Sequence, residues 1–329
     1  MPEDRISESH PGAGSNRNNP DRWKQDIVLS VDMYNEWFLR FAPSAFRETR
    51  IKTTVQVEET LRKTQNLTDI TVGLLRAEPG VLPVLRMSAC PPLAVDRLVG
   101  LAGISKNLAS AMEMGALPPR MPIDKLLSEL ALIGAIIEKM ADPDIFVWLS
   151  RIEPPSQTEI HRAATIVADR LCGSIANPII RNAQEKRQLA ALAAWLEARG
   201  YIPLTPGFRF DEMPSGTFCF RLNVPVTAEG SESGYKIPID AIIKPIDAQE
   251  SDLPLMIEAK SAGDFTNTNK RRKEEAFKVT QLRTTYGQSV RFVLFLCGYF
   301  DSGYLGYEAA EGIDWVWEHR IDDLVAFGI

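Results

Sequence analysis

A chain of 329 residues, 45% hydrophobic and 24% charged, is long enough for one large domain or two ordinary ones and has the composition of a soluble globular protein. Its formal net charge of −6 argues against a protein that coats nucleic acid indiscriminately, although a single binding cleft needs only a local excess of Lys and Arg. No apolar run reaches the roughly 18 to 20 residues of a transmembrane helix. The polar opening MPEDRISESHPGAGSNRNNPD lacks the apolar stretch of a signal peptide, so a cytoplasmic protein without membrane attachment is expected.

Residues 1–21, rich in Gly, Ser, Asn and Pro, read as a disordered tail. From Trp23 to about Arg170 apolar residues recur at helical spacing, as in NEWFLRFAPSAFRE, TTVQVEETLRKTQNLTDITVGLL and IDKLLSELALIGAIIEKMADPDIFVWLSRI, with breaks at 77–83, 91–92 and 118–122. Residues 22–176 are therefore predicted to form a helical domain, suited to DNA recognition and dimerisation. Within it DRLVGLAGISKNLASAM, residues 96–112, places two short helices around Gly103-Ile104-Ser105. That is the pattern of a helix-turn-helix, with Ser105, Lys106 and Asn107 opening the second helix toward DNA. A plain helical hairpin gives the same pattern.

The organisation shifts around 174–178. ANPIIRNAQEKRQLAALAAWLEARGY is predicted to be a helix closed by Gly200. Strands TFCFRLNVPV, KIPIDAIIKP and PLMIEAK follow, then a polar helix over about 269–286, then a strand RFVLFLCGYF. Residues 177–329 thus form a mixed sheet flanked by helices, and the chain as a whole is α+β. The cysteines Cys90, Cys172, Cys219 and Cys297 are far apart with no CxxC spacing, and buried thiols in a reducing compartment are expected. His10, His161 and His319 show no nucleophile motif or ligand spacing, and no GxGxxG or P-loop is present.

The chemistry concentrates in YKIPIDAIIKPIDAQESDLPLMIEAKSAGDFTNTNKRRKEEAFKVTQLR, residues 235–283. Asp240 stands inside an apolar run, where a carboxylate is costly unless a cation satisfies it. Glu258 and Lys260 lie two apart near the end of the next run, so period-two alternation points both to one side of a strand. An antiparallel connection through DAQESD sets Asp240 beside Glu258. Two carboxylates with waters suit Mg²⁺, which would neutralise a phosphate and activate a water that Lys260 orients or helps to deprotonate. The basic cluster Lys270, Arg271, Arg272 and Lys273, with Asn267 and Asn269 at the helix start, offers phosphate contacts or else an ordinary solvated helix start.

Asp240, Glu258-x-Lys260 and the basic helix after them resemble the core of the PD-(D/E)xK nucleases, here with the order Pro238-Ile239-Asp240. IEAKSAGDFTNTNKRRKEEAFKVTQLRTTYG and the upstream CPPLAVDRLVGLAGISKNLASAME resemble the XamI family of type II restriction endonucleases. The resemblance implies Mg²⁺-dependent cleavage of double-stranded DNA at a palindromic site of the GTCGAC kind by a homodimer, with a cognate methyltransferase protecting the host DNA. It implies Asp240 and Glu258 as metal ligands, Lys260 as the catalytic lysine, and a further acid on the leading helix, Glu185 ahead of Glu197. Gln281, on the following helix, is a candidate supporting residue. A structure-specific or repair nuclease of the same core, and a DNA-binding protein without catalysis, are the alternatives.

Overall fold

The computed structural model describes residues 16–329 apart from 206, 228–233 and 266–267, and describes the backbone but not the side chains of 211 and 268–272. The chain divides into two compact units. One comprises the chain up to Arg40 together with Arg181–Ile329, and the other is Phe41–Ile180.

The Phe41–Ile180 unit is helical. Helices α1 (Pro20–Lys63) and α7 (Gln157–Glu197) each give part of their length to it, and between them lie α2 (Val72–Ala77), α3 (Leu82–Met87), α4 (Val95–Ala102), α5 (Lys106–Glu113) and α6 (Ile123–Met140). On α6 the buried Leu126, Leu130, Ile133 and Ile137 recur every three or four residues, so one stripe of the helix is apolar. That stripe joins Val57, Leu61, Leu75, Leu85 and Val167 in a single core. The helical spacing read over 53–75 is interrupted after Lys63, where α1 ends, and resumes in α2. Gln65, Asn66 and Leu67 adopt positive φ, which no right-handed helix contains, and the indole of Trp148 holds the turn by donating to the Asn66 carbonyl at 2.9 Å. The shift in organisation expected around 174–178 falls within a continuous helix, close to the division between the units at Ile180 and Arg181. Pro178 lies inside α7, because proline removes one backbone donor but does not forbid a helix that packing holds on either side. The tail expected to run to residue 21 gives way earlier: Asn16 is buried, and its side-chain amide donates to the Trp315 carbonyl at 2.8 Å.

In the other unit a six-stranded sheet runs in the order β1 (Ile202–Pro203), β2 (Thr217–Thr227), β3 (Gly234–Lys244), β4 (Leu255–Ala262), β5 (Arg291–Gly298), β6 (Asp314–Trp317). Strands β2, β3 and β4 are antiparallel neighbours. β4, β5 and β6 are parallel, joined by α8 (Thr268–Tyr286) and α9 (Ser302–Ala310). The strands predicted from β-branched and aromatic runs correspond to β2 to β5; β1, β6 and α9 are additions. Asp301 caps α9 by accepting from the Tyr304 amide at 2.7 Å.

Both faces of the sheet are buried. Met256, Leu294, Leu296, Trp315 and Trp317 pack with Val279 and Leu282 of α8, while Ile257, Val293, Phe295 and Val316 pack with Leu189, Leu192 and Leu196 of α7. Two-sided burial explains why these strands read as near-continuous apolar runs. Trp23 and Ile27 of α1 pack on the α8 side, which is why the start of α1 belongs to this unit rather than to the helical one. The same helix reaches the end of β5, where Ser30 Oγ accepts from the Gly298 amide at 2.7 Å. Gly298 has φ +101°, and a Cβ there would press against the Ala262 carbonyl. Gly298→Ala is expected to cost at least about 2–3 kcal/mol through left-handed strain plus this clash, read as a lowered thermal midpoint.

Candidate active site

The period-two alternation of β2 and β3 breaks at one place. In β2, Leu222, Val224 and Val226 face the α8 side, and so does Cys219, three residues from Leu222. In β3, Ile239 and Ile242 share that side, while Ala241 and Ile243 face α7. The register runs unshifted through Phe220↔Ala241 and Leu222↔Ile239, so Arg221 and Asp240 stand opposite each other at the break. Arg221 adopts φ +54°, a conformation that costs a non-glycine residue free energy and that tends to persist at functional positions. Asp240 therefore leaves the apolar faces that its neighbours occupy.

The pairing of β3 with β4, through Ala241↔Ile257, brings Asp240 beside Glu258 as the sequence implied. The intervening loop is pinned by buried Lys244, whose ammonium donates to the Glu250 and Asp252 carbonyls. Asp240 Oδ2 accepts from the Ala259 amide at 2.9 Å. Burial first, and the Glu258 carboxylate second, push the Asp240 carboxyl up to about 6 against the opposing pull of that amide, Lys260 and Lys278. Glu258, buried, meets two ammonium groups: Lys260 Nζ at 3.0 Å and Lys278 Nζ at 2.8 Å. Lys260 also lies 3.2 Å from the buried Glu275, which accepts from the Tyr304 hydroxyl at 3.3 Å. Burial alone would lower the Lys260 pKa, but Glu258 and Glu275 outweigh it and hold the ammonium above the ordinary lysine range. Burial raises the Glu275 carboxyl in turn, against the pull of Lys260.

Asp240, Glu258 and Lys260 line one cleft of about 320 Å³ together with Glu185 and Gln188 of α7. Glu185 is thus brought to the acids, with its carboxylate on Arg221 Nη2 at 2.8 Å. Glu197 is exposed and, like Gln281, does not line the cleft. Three contributors escaped sequence reasoning: Lys278, Glu275 and Gln188, whose amide donates to the Phe295 carbonyl at 3.3 Å and the Lys260 carbonyl at 3.4 Å. The signal for two of them was the i, i+3 spacing of Glu275 and Lys278, which puts an acid and a base on the same helix face.

The expected DNA contacts fare unevenly. Lys273 is exposed on α8; Asn267 lies outside the described residues, as do the side chains of Asn269, Lys270, Arg271 and Arg272. In the helical unit the two-helix pattern is present, with Gly103 at φ +64° closing α4. Ser105 is occupied internally: its Oγ accepts from the Leu108 amide, and its amide and Oγ both donate to Glu129 Oε2 at 2.9 Å. Lys106 pairs with Asp96 at 3.0 Å on the surface, and Asn107 is exposed. Ser105→Ala should cost about 1 kcal/mol of stability as a lost cap, measured by denaturant unfolding. The expected burial of the cysteines holds for Cys172, Cys219 and Cys297, whereas Cys90 is exposed.

Among the described residues no group of three or more His, Cys, Asp or Glu side chains is placed to hold a metal ion, and no helix is long and apolar enough to cross a membrane. The carboxylates that could hold an ion are Asp240 and Glu258, set side by side by the pairing of β3 with β4, and Mg²⁺ commonly takes one or two carboxylates with waters and phosphate oxygens. Glu258 already meets two ammonium groups, whereas Asp240 accepts only the Ala259 amide and makes no ion pair among the described residues, so the carboxylate of Asp240 beside Glu258 fits such an ion.

A helical region, a mixed six-stranded sheet with flanking helices, and an acid pair with a lysine at adjacent strand positions define a restriction-endonuclease-like α+β fold. The model of the XamI restriction endonuclease family matches residues 65–317. The type II restriction enzyme SalI of Streptomyces albus G is 53% identical over 315 residues, covering 95% of this chain and 99% of that protein. The chain belongs to the XamI restriction endonuclease family. No solved structure matches it.

Proposed function

We infer that this protein is a Mg²⁺-dependent type II restriction endonuclease that hydrolyses phosphodiester bonds of duplex DNA at a palindromic site of the GTCGAC kind. The observation that carries this reading is the convergence of Asp240, Glu258 and Lys260 in one cleft, with the Lys260 ammonium 3.0 Å from Glu258. Asp240 and Glu258 would hold the ion, which when bound supplies charge neutralisation at the phosphate and a more acidic water. The Lys260 ammonium, kept charged by Glu258 and Glu275, serves as a donor that orients the attacking water and meets the negative charge that develops on the phosphate, rather than as a base. Attack in line with the 3′ oxygen leaves a 5′ phosphate. Glu185 adds a further carboxylate to the same cleft.

A palindrome is most simply read by a two-fold symmetric homodimer, which also supplies two active sites for two strands. Ser105, Lys106, Asn107 and Lys273 are assigned to DNA contact outside the cleft, and Asn267, Asn269 and the basic run 270–272 precede the last of them in the sequence. A cytoplasmic location and a cognate methyltransferase that shields the host genome complete the reading. Glu258→Ala tests it: plasmid DNA cut into discrete fragments by the parent should stay intact with the variant, and equal cutting by both would remove Glu258 from the chemistry.

A further inference from the structure

The first cleft sets four carboxylates, Glu185, Asp240, Glu258 and Glu274, against two cations, Arg181 and Lys260, so by itself it holds a phosphate chain weakly. Beside it lies a second cleft of about 690 Å³ with the opposite character. Arg209, Arg221 and Lys236 line it, together with Asn223, Phe208 and Tyr286. The Arg209 and Arg221 side chains are 70% and 64% exposed, so both reach solvent even though Arg209 pairs with Glu212 and Arg221 with Glu185. Lys236 is exposed on β3, four residues before Asp240. The two clefts meet at one ion pair: Glu185 lines the first, Arg221 lines the second, and their side chains touch at 2.8 Å. Arg221 also stands directly opposite Asp240 across the β2–β3 pair, in the left-handed conformation.

We propose that the Arg209, Arg221 and Lys236 cleft is a phosphate-backbone track for duplex DNA, seating the sugar-phosphate chain next to the bond that is cut. This rests on the nuclease reading. Cations adjoining a carboxylate cluster attract the polyanion and hold it across the cluster, and guanidinium and ammonium groups with an amide are the usual phosphate donors. Such contacts position the duplex without reading bases. Weakening them should therefore lower affinity equally for cognate and unrelated sequences.

The test is Arg209→Gln combined with Lys236→Gln, with each single variant alongside, using labelled duplexes in EDTA over a series of salt concentrations. Both side chains are exposed, and thermal melting verifies that the variants fold. For the double variant the dissociation constant should rise about tenfold or more on both duplexes, and the slope of log affinity against log salt should fall by about 2, close to 1 for each cation removed. KM for cleavage in Mg²⁺ should rise in step. A parent that cuts DNA while the folded double variant keeps its affinity and salt slope would overturn the track and leave the nuclease reading standing. A parent that neither binds nor cuts duplex DNA would overturn both.

Discussion

Asp240→Asn is expected to give a protein that does not cut DNA and yet, without metal, unfolds at a higher temperature than its parent at pH 8. Loss of a metal ligand should reduce cleavage by at least about a thousandfold, or ~4 kcal/mol in the barrier. The stability gain follows from the carboxyl pushed up to about 6 by burial and by Glu258. Below about pH 4 this group is protonated in both folded and unfolded chains and carries no penalty. Between there and about 6 the unfolded chain ionises first, so folded stability falls as pH rises; above about 6 the whole penalty, of the order of 1–3 kcal/mol, is present. Asparagine has no charge to bury and still accepts from the Ala259 amide. The gain should therefore be full at pH 8 and gone near pH 4 in thermal melts with EDTA. A variant melting at or below the parent throughout that range would show that Asp240 is not held against its own ionisation. Active sites commonly carry such a cost, and it is recovered when the ligand binds.

Lys260→Met is expected to lose both activity and stability, and the two losses should separate. Cleavage should fall by about 10²- to 10³-fold, the range for losing one donor aimed at developing charge. Stability should fall by about 3 kcal/mol at neutral pH, because Glu275, buried and already raised in pKa, loses the ammonium at 3.2 Å that favours its charged form. The penalty grows as pH rises above the ordinary carboxylate range and is small in acid, where Glu275 is protonated in both states. Adding Glu275→Gln removes the stranded charge, so the double variant should regain most of the stability and none of the cleavage. A Lys260→Met protein that cleaves within tenfold of the parent would contradict the assignment.

Glu258 and Lys260 were legible as one-sided in the sequence because strand alternation is a short-range rule, whereas Asp240 stands where that alternation breaks and was legible only as an acid in an apolar run. A carboxylate inside an apolar run and an acid-x-lysine triplet at the end of the next are visible without knowing the fold, and a short connection between them allows the antiparallel pairing that is found. Lys278 and Glu275 were not legible for the opposite reason: α8 carries few apolar residues beyond Val279 and Leu282, so its sequence gives little indication of which face turns inward. Gln188 stands on a stretch read as helix, but nothing in a glutamine announces that it meets the carbonyls of Lys260 and Phe295. The basic cleft is spread over a loop and two strands, so no run of charge marks it. β6, only four residues of DWVW, is too short for periodicity to register, and the two glycines of α9 lower its helix signal.

The most direct measurement is incubation of the protein with unmethylated plasmid and phage DNA, with Mg²⁺ or with EDTA, followed by sequencing of the fragment ends. The account predicts discrete fragments in Mg²⁺ only, all ending within one palindromic sequence and carrying 5′ phosphates, and none with the Glu258→Ala protein. Intact DNA under every condition, or a smear with unrelated ends, would contradict it.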